Sequence, residues 1–230
     1  MAKKRVSRSR KRDLNEPDEF ISFWAKLFEF ISEYKLIFSS ALGVMVFIII
    51  IIVGMVYFIK KSEDKAFALL QQGIITYQTK LKTSTPEKAF LDVENDWQLI
   101  MDRYSERDGS KLASFIYANM CYTAKKYDKA IEFYKKSLIN FNDETFIKNL
   151  ILNGLGYSYK AKKDFKTAAG YFETIASVPD YTIKDEALFN LGELYAAMGD
   201  HNKSITAFKR ILSDHPGSMY IEIVKEKVTG

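Results

Sequence analysis

One cysteine, two histidines and four prolines in 230 residues leave little raw material for several kinds of protein. A lone Cys121 permits no disulfide within the chain, so a cross-linked secreted scaffold is excluded while the redox compartment stays open. His201, His215 and Cys121 are too few ligands for a zinc site. No glycine-rich phosphate loop occurs, and the carboxylates are scattered over helix faces. No catalytic residue, metal or cofactor is therefore expected, and the chain does not read as an enzyme. Eleven glycines and four prolines are also too few for a low-complexity linker. Folded structure is expected instead, because 47% of residues are hydrophobic against 27% charged.

The net charge of +5 is unevenly placed. Residues 1–59 hold nine Lys or Arg and six Asp or Glu, and seven of those basic residues fall between Met1 and Arg12 without an acidic one. The remaining 25 basic and 23 acidic residues nearly cancel. A nucleic-acid-binding face needs clustered positive charge, so the main domain does not read as one. Residues 1–18, basic and poor in apolar side chains, are expected to be disordered in isolation.

The longest uncharged run is Leu36 to Ile59, 24 residues bounded by Lys35 and by Lys60-Lys61. At about 1.5 Å per residue it spans roughly 36 Å as a helix, enough to cross a bilayer core. The block Ile48 to Ile52 favours strand in water, but in lipid only a helix satisfies its own backbone. The run exceeds a signal-peptide core, and Phe58-Ile59-Lys60-Lys61 offers no cleavage site, so an uncleaved anchor over 36–59 is expected. The basic start favours a cytoplasmic N-terminus, although Lys60, Lys61 and Lys65 pull the other way. Before the run, residues 19–35 carry Phe20, Trp24, Leu27, Phe28, Ile31 and Tyr34 at spacings of three and four. That stripe predicts an amphipathic helix lying in the headgroup region.

Beyond the anchor the chain repeats itself. Tyr127, Phe165 and His201 stand 38 and 36 residues apart. Each is followed three residues later by a small residue (Ala130, Ala168, Ser204) and after four more by Tyr134, Phe172 or Phe208. These spacings resemble the tetratricopeptide repeat, a pair of antiparallel helices. The clearest copy, 185–218, has Leu188, Leu191-Gly192, Tyr195, Gly199-Asp200, Phe208 and Pro216 in place. The copy at about 149–182 keeps Leu155-Gly156, Tyr159, Asp164, Phe165, Ala168 and Phe172, with Lys163 for the turn glycine and Pro179 one position early. The most worn copy, at about 111–144, has Tyr117-Ala118 for the usual Leu-Gly. His201 stands where the repeat usually has an aromatic, and His215 just precedes the turn proline, so both have structural explanations.

The expected fold is therefore all-α: one N-terminal transmembrane helix, then a helical solenoid. Residues 60–106 read as a divergent hairpin, with stripes from Phe67 to Leu81 and from Phe90 to Tyr104 about a turn at Ser84-Thr85-Pro86. Residues 107–230 hold the three repeats and a capping helix marked by Ile221, Val224 and Val228, since solenoid ends need covering. In this repeat type the first helices line a concave face. The repeat phase maps Phe115, Asn119 and Tyr122, then Asn153, Tyr157 and Lys160, then Phe189 and Glu193 onto that face. Aromatics beside Asn and Lys suit an apolar segment held by a few polar contacts. Packing between neighbouring repeats accounts for some of these aromatics equally well. Phe115 occupies the position where a carboxylate clamp for chaperone tails wants lysine, which argues against a cytosolic co-chaperone.

The order of parts, with stretches such as Lys65–Tyr77 and Ala124–Ala130, resembles the YfgM-type ancillary subunits of the SecYEG translocon from roughly Tyr34 to the end. The basic first twelve residues depart from it, because tails in that family are often acidic or neutral. The resemblance implies a single-pass inner-membrane protein with a periplasmic repeat domain, a cytoplasmic N-terminus, and translocon subunits, secreted proteins or periplasmic chaperones as partners. An envelope scaffold for cell division or outer-membrane assembly, binding one fixed partner, has the same parts. A third possibility is a ribosome or nucleic-acid contact through the basic tail.

Overall fold

The computed structural model describes residues 19–178 and 183–229, with side chains from Phe23 onward. The basic tail 1–18, the side chain of Phe20 in the aromatic stripe, and Pro179 lie outside the described residues. Among the described residues ten helices follow one another with no strand. They are α1 (Glu19–Glu33), α2 (Lys35–Leu81), α3 (Pro86–Arg103), α4 (Asp108–Thr123), α5 (Tyr127–Asn140), α6 (Thr145–Ala161), α7 (Phe165–Ser177), α8 (Lys184–Ala197), α9 (His201–Asp214) and α10 (Ile221–Thr229). The chain divides into two compact units, residues 1–59 and 60–230.

In the first unit, α2 contains one stretch long and apolar enough to cross a membrane, and none of it is buried by protein. Its only hydroxyls short of Tyr57 are answered within the helix: Ser39 and Ser40 donate to the carbonyls of Leu36 and Ile37 at 3.1 and 2.9 Å. Internal satisfaction of that kind is what an apolar solvent demands of a helix.

In the second unit each helix from α3 onward packs on the next in sequence. Apolar residues at three- and four-residue spacing face inward and form two hydrophobic clusters, one from Leu70 to Leu155 and one from Leu152 to Val224. Trp97, Tyr117, Tyr134, Phe90 and Phe172 are the largest fully or almost fully enclosed side chains, and Trp97 packs over Gly73. Cys121 lies wholly inside the first cluster.

The turns inside the three hairpins are built alike. Lys125, Lys163 and Gly199 all take positive φ, at 56°, 63° and 81°. Each is followed by an amide that reaches back five residues: Lys126 to Cys121 at 2.8 Å, Asp164 to Tyr159 at 3.0 Å, and Asp200 to Tyr195 at 2.8 Å. This left-handed C-cap satisfies carbonyls that the helix end would leave open. The second helix then starts at once, with Asp164 and Asp200 accepting from the amides of Thr167 and Lys203 at 3.2 and 3.1 Å.

The start of α4 is capped from far away. Arg107, the residue before it, gives no side-chain cap. Glu63 of α2 instead accepts from the amides of Gly109 and Asp108 at 2.8 and 3.2 Å. Gly109 permits this approach, because a Cβ there would stand 2.8 Å from the amide nitrogen of Phe67.

Candidate protein-binding groove

Phe115, Asn119 and Tyr122 lie at i, i+4 and i+7 of α4, and Asn153, Tyr157 and Lys160 at the same spacing of α6. Residues so spaced share one helix face. Phe189 and Glu193 are one turn apart on α8. Asn119 is exposed and the other seven are half-buried.

On α4 the face is aromatic with one amide. The Tyr134 hydroxyl donates to Asn119 Oδ1 at 2.6 Å, which fixes that amide and leaves its nitrogen outward. Phe115 lies against Tyr134 with ring centroids 6.3 Å apart. Tyr122 stands between Tyr127, at 5.8 Å, and Tyr157 of the next repeat, at 6.4 Å.

Between α6 and α8 a polar network closes on itself. Glu186 Oε1 accepts from the Tyr157 hydroxyl at 2.6 Å and from Asn153 Nδ2 at 3.3 Å. Asn190 Nδ2 donates to Tyr157 Oη at 2.9 Å, and Asn190 Oδ1 accepts from Lys160 Nζ at 2.9 Å. Burial, with the Glu186 carboxylate beside it, pushes the Tyr157 hydroxyl well above its ordinary range. Burial lowers Lys160, against the attraction of Glu193. The arrangement fixes the positions of these side chains.

Glu186 and Asn190 are absent from the positions that the repeat phase picks out. They precede Glu193 by seven and three residues on α8, the same i, i+4, i+7 pattern one turn toward the N-terminus. That spacing was the available signal. At the end of the stack the chain covers its own face. Phe189 stacks on Tyr220 with centroids 4.4 Å apart and planes 14° from parallel, and Lys227 of α10 pairs with Glu193 at 2.8 Å.

The Tetratricopeptide repeat family matches residues 186–218. The chain is 26% identical over 132 residues to the uncharacterized protein ycf37 of Pyropia yezoensis, covering 55% of this chain and 72% of that one. The crystal structure of BtubC (BKLC) from P. vanneervenii is similar in fold, with a TM-score of 0.56 over 74% of this chain and 75% of that one at 19% identity. The fold is thus all-α and built of tetratricopeptide repeats, an architecture typical of scaffolds that bind proteins rather than of catalysts.

Proposed function

We propose that this chain is a membrane-anchored interaction module, ancillary to the Sec translocon, whose repeats link secreted proteins to periplasmic chaperones. Tetratricopeptide repeats bind proteins, and that much holds for the domain as a class. The observation that carries the rest is α2, a single helix that supplies the apolar membrane-length stretch and then, through Ala66, Leu70 and Tyr77, part of the core of the repeat unit. The binding face is the one bearing Phe115, Asn119 and Tyr122, continued by Asn153, Tyr157 and Lys160 toward Phe189 and Glu193. In this reading the N-terminus is cytoplasmic and the repeats are periplasmic.

Topology tests it. A periplasm-active reporter fused after Gly230 is expected to be active. A silent reporter on an intact fusion, with a cytoplasm-active reporter working at the same place, would put the repeats in the cytoplasm. That outcome removes the translocon reading and the envelope scaffold together. With the repeats in the periplasm, crosslinking separates the two: a scaffold gives one folded partner, a translocon subunit gives translocon components, chaperones and clients.

A further inference from the structure

We propose that a second surface, a lysine-lined cavity at the turn between α4 and α5, binds acidic peptide segments of partner proteins. None of its lining residues is a groove position, so it stands independently of the groove. The cavity holds about 420 Å³ and is lined by Lys125, Lys126, Lys129 and Lys162. Only two carboxylates, Glu94 and Asp128, share the lining. Lys129 bonds Glu94, and Lys162 bonds Asp128. Lys125 reaches Glu87 at 3.5 Å, and Lys126 has no ion-pair partner among the described residues. Three of the four lysines are therefore paired, and Lys126 leaves one positive charge in excess along the walls.

The sister repeats provide an internal reference. Lys126 is the residue before α5, with φ −87° and ψ 63° and no capping side chain. Its counterparts Asp164 (−83°, 72°) and Asp200 (−88°, 75°) hold nearly the same backbone and cap their helices with a carboxylate. The first repeat thus puts a cation where the other two put an anion, at a helix start that itself favours negative charge. The carboxylate missing from this position is what an incoming ligand would supply.

The remaining walls say which anion fits. Phe90, Leu91 and Tyr127 line the cavity beside the lysines, and Leu91 is 59% exposed. The volume is in the range of ligand pockets, about 300–1,000 Å³, and exceeds what one inorganic anion fills. Cations next to an exposed leucine and a half-buried tyrosine match a segment in which Asp or Glu alternates with apolar residues.

The test uses the full chain in phosphatidylcholine nanodiscs and a short fluorescein-labelled peptide alternating Glu and Tyr, with Gln replacing Glu in the control. Anisotropy titration is expected to show the Glu peptide binding at least about tenfold more tightly than the Gln peptide. Lys126→Asp is expected to abolish that preference while melting no lower than the parent, because the backbone for an Asp cap is already in place. Lys209→Asp, an equal charge change on α9, is expected to leave binding intact. Equal affinity for the two peptides overturns the proposal, as does loss of binding that is the same in the Lys126 and Lys209 variants. Attachment to phosphatidylserine vesicles without any peptide binding overturns it as well, and assigns the lysines to lipid.

Discussion

The ring of Phe208 occupies the space that a side chain on Gly192 would need: a Cβ built there stands 2.2 Å from Phe208 Cε1. Gly156 and Phe172 repeat the relationship one hairpin earlier, at 2.7 Å. In both repeats the glycine lets the second helix lie against the first. Gly192→Ala must push a buried aromatic out of its place. The expected cost is about 1–3 kcal/mol, as for other overpacked cores. Urea unfolding followed by circular dichroism checks it, with a lower midpoint and an unchanged slope.

Lys163 holds φ at 63°, and its counterpart in the third repeat is Gly199 at 81°. A residue with a Cβ is strained there, by about 1 kcal/mol. The Lys163 side chain is exposed, so removing it loses little packing. Lys163→Gly is expected to raise stability by up to about 0.5 kcal/mol, the backbone strain offsetting the entropy that glycine adds to the unfolded chain. The same unfolding measurement checks it, and Gly199→Ala is expected to move the midpoint the other way.

Glu63 caps a helix that starts 45 residues later, through the amides of Asp108 and Gly109. Glu63→Ala leaves those amides without their acceptor and is expected to cost about 1 kcal/mol, the usual worth of an N-cap. Hydrogen exchange at Gly109 is expected to accelerate before exchange in α8 or α9 changes.

Cys121 is fully enclosed, and burial pushes its thiol up to about 12. A buried thiol that stays neutral contributes fully below its unfolded value of about 8.5. The contribution is then lost as pH rises toward the folded value, at up to about 1.4 kcal/mol per pH unit. Native protein at pH 8 is therefore expected to react slowly with a thiol reagent, and denatured protein quickly. Cys121→Ala is expected to flatten part of the loss of stability between pH 8.5 and 9.5, before the buried tyrosines begin to titrate.

The all-helical repeat fold was legible because its signals are local. Gly192, Phe208 and Gly199-Asp200 sit within 17 residues of one another, and the same spacing recurs around Gly156. The positive φ of Lys125 and Lys163 was readable only through that register, since lysine itself gives no sign of a left-handed turn. The Glu63 cap was not legible, because nothing in a glutamate on a long helix says which distant amides it will meet. At the candidate groove positions, the repeat phase marks single-helix faces but not what packs across them. Glu186 joins α6 to α8, and Tyr220 and Lys227 reach Phe189 and Glu193 from outside the repeats, so these partnerships depend on helix placement rather than on spacing.

The central claim is that the face around Asn119 holds another protein. A photo-crosslinking residue placed at Asn119 in cells that make the protein tests it, with one at Lys209 on α9 for comparison. The account predicts adducts from Asn119 to translocon components, chaperones or secreted proteins, and few or none from Lys209. Equal adducts from both positions, or none from Asn119 in a protein that still folds and inserts, would contradict it.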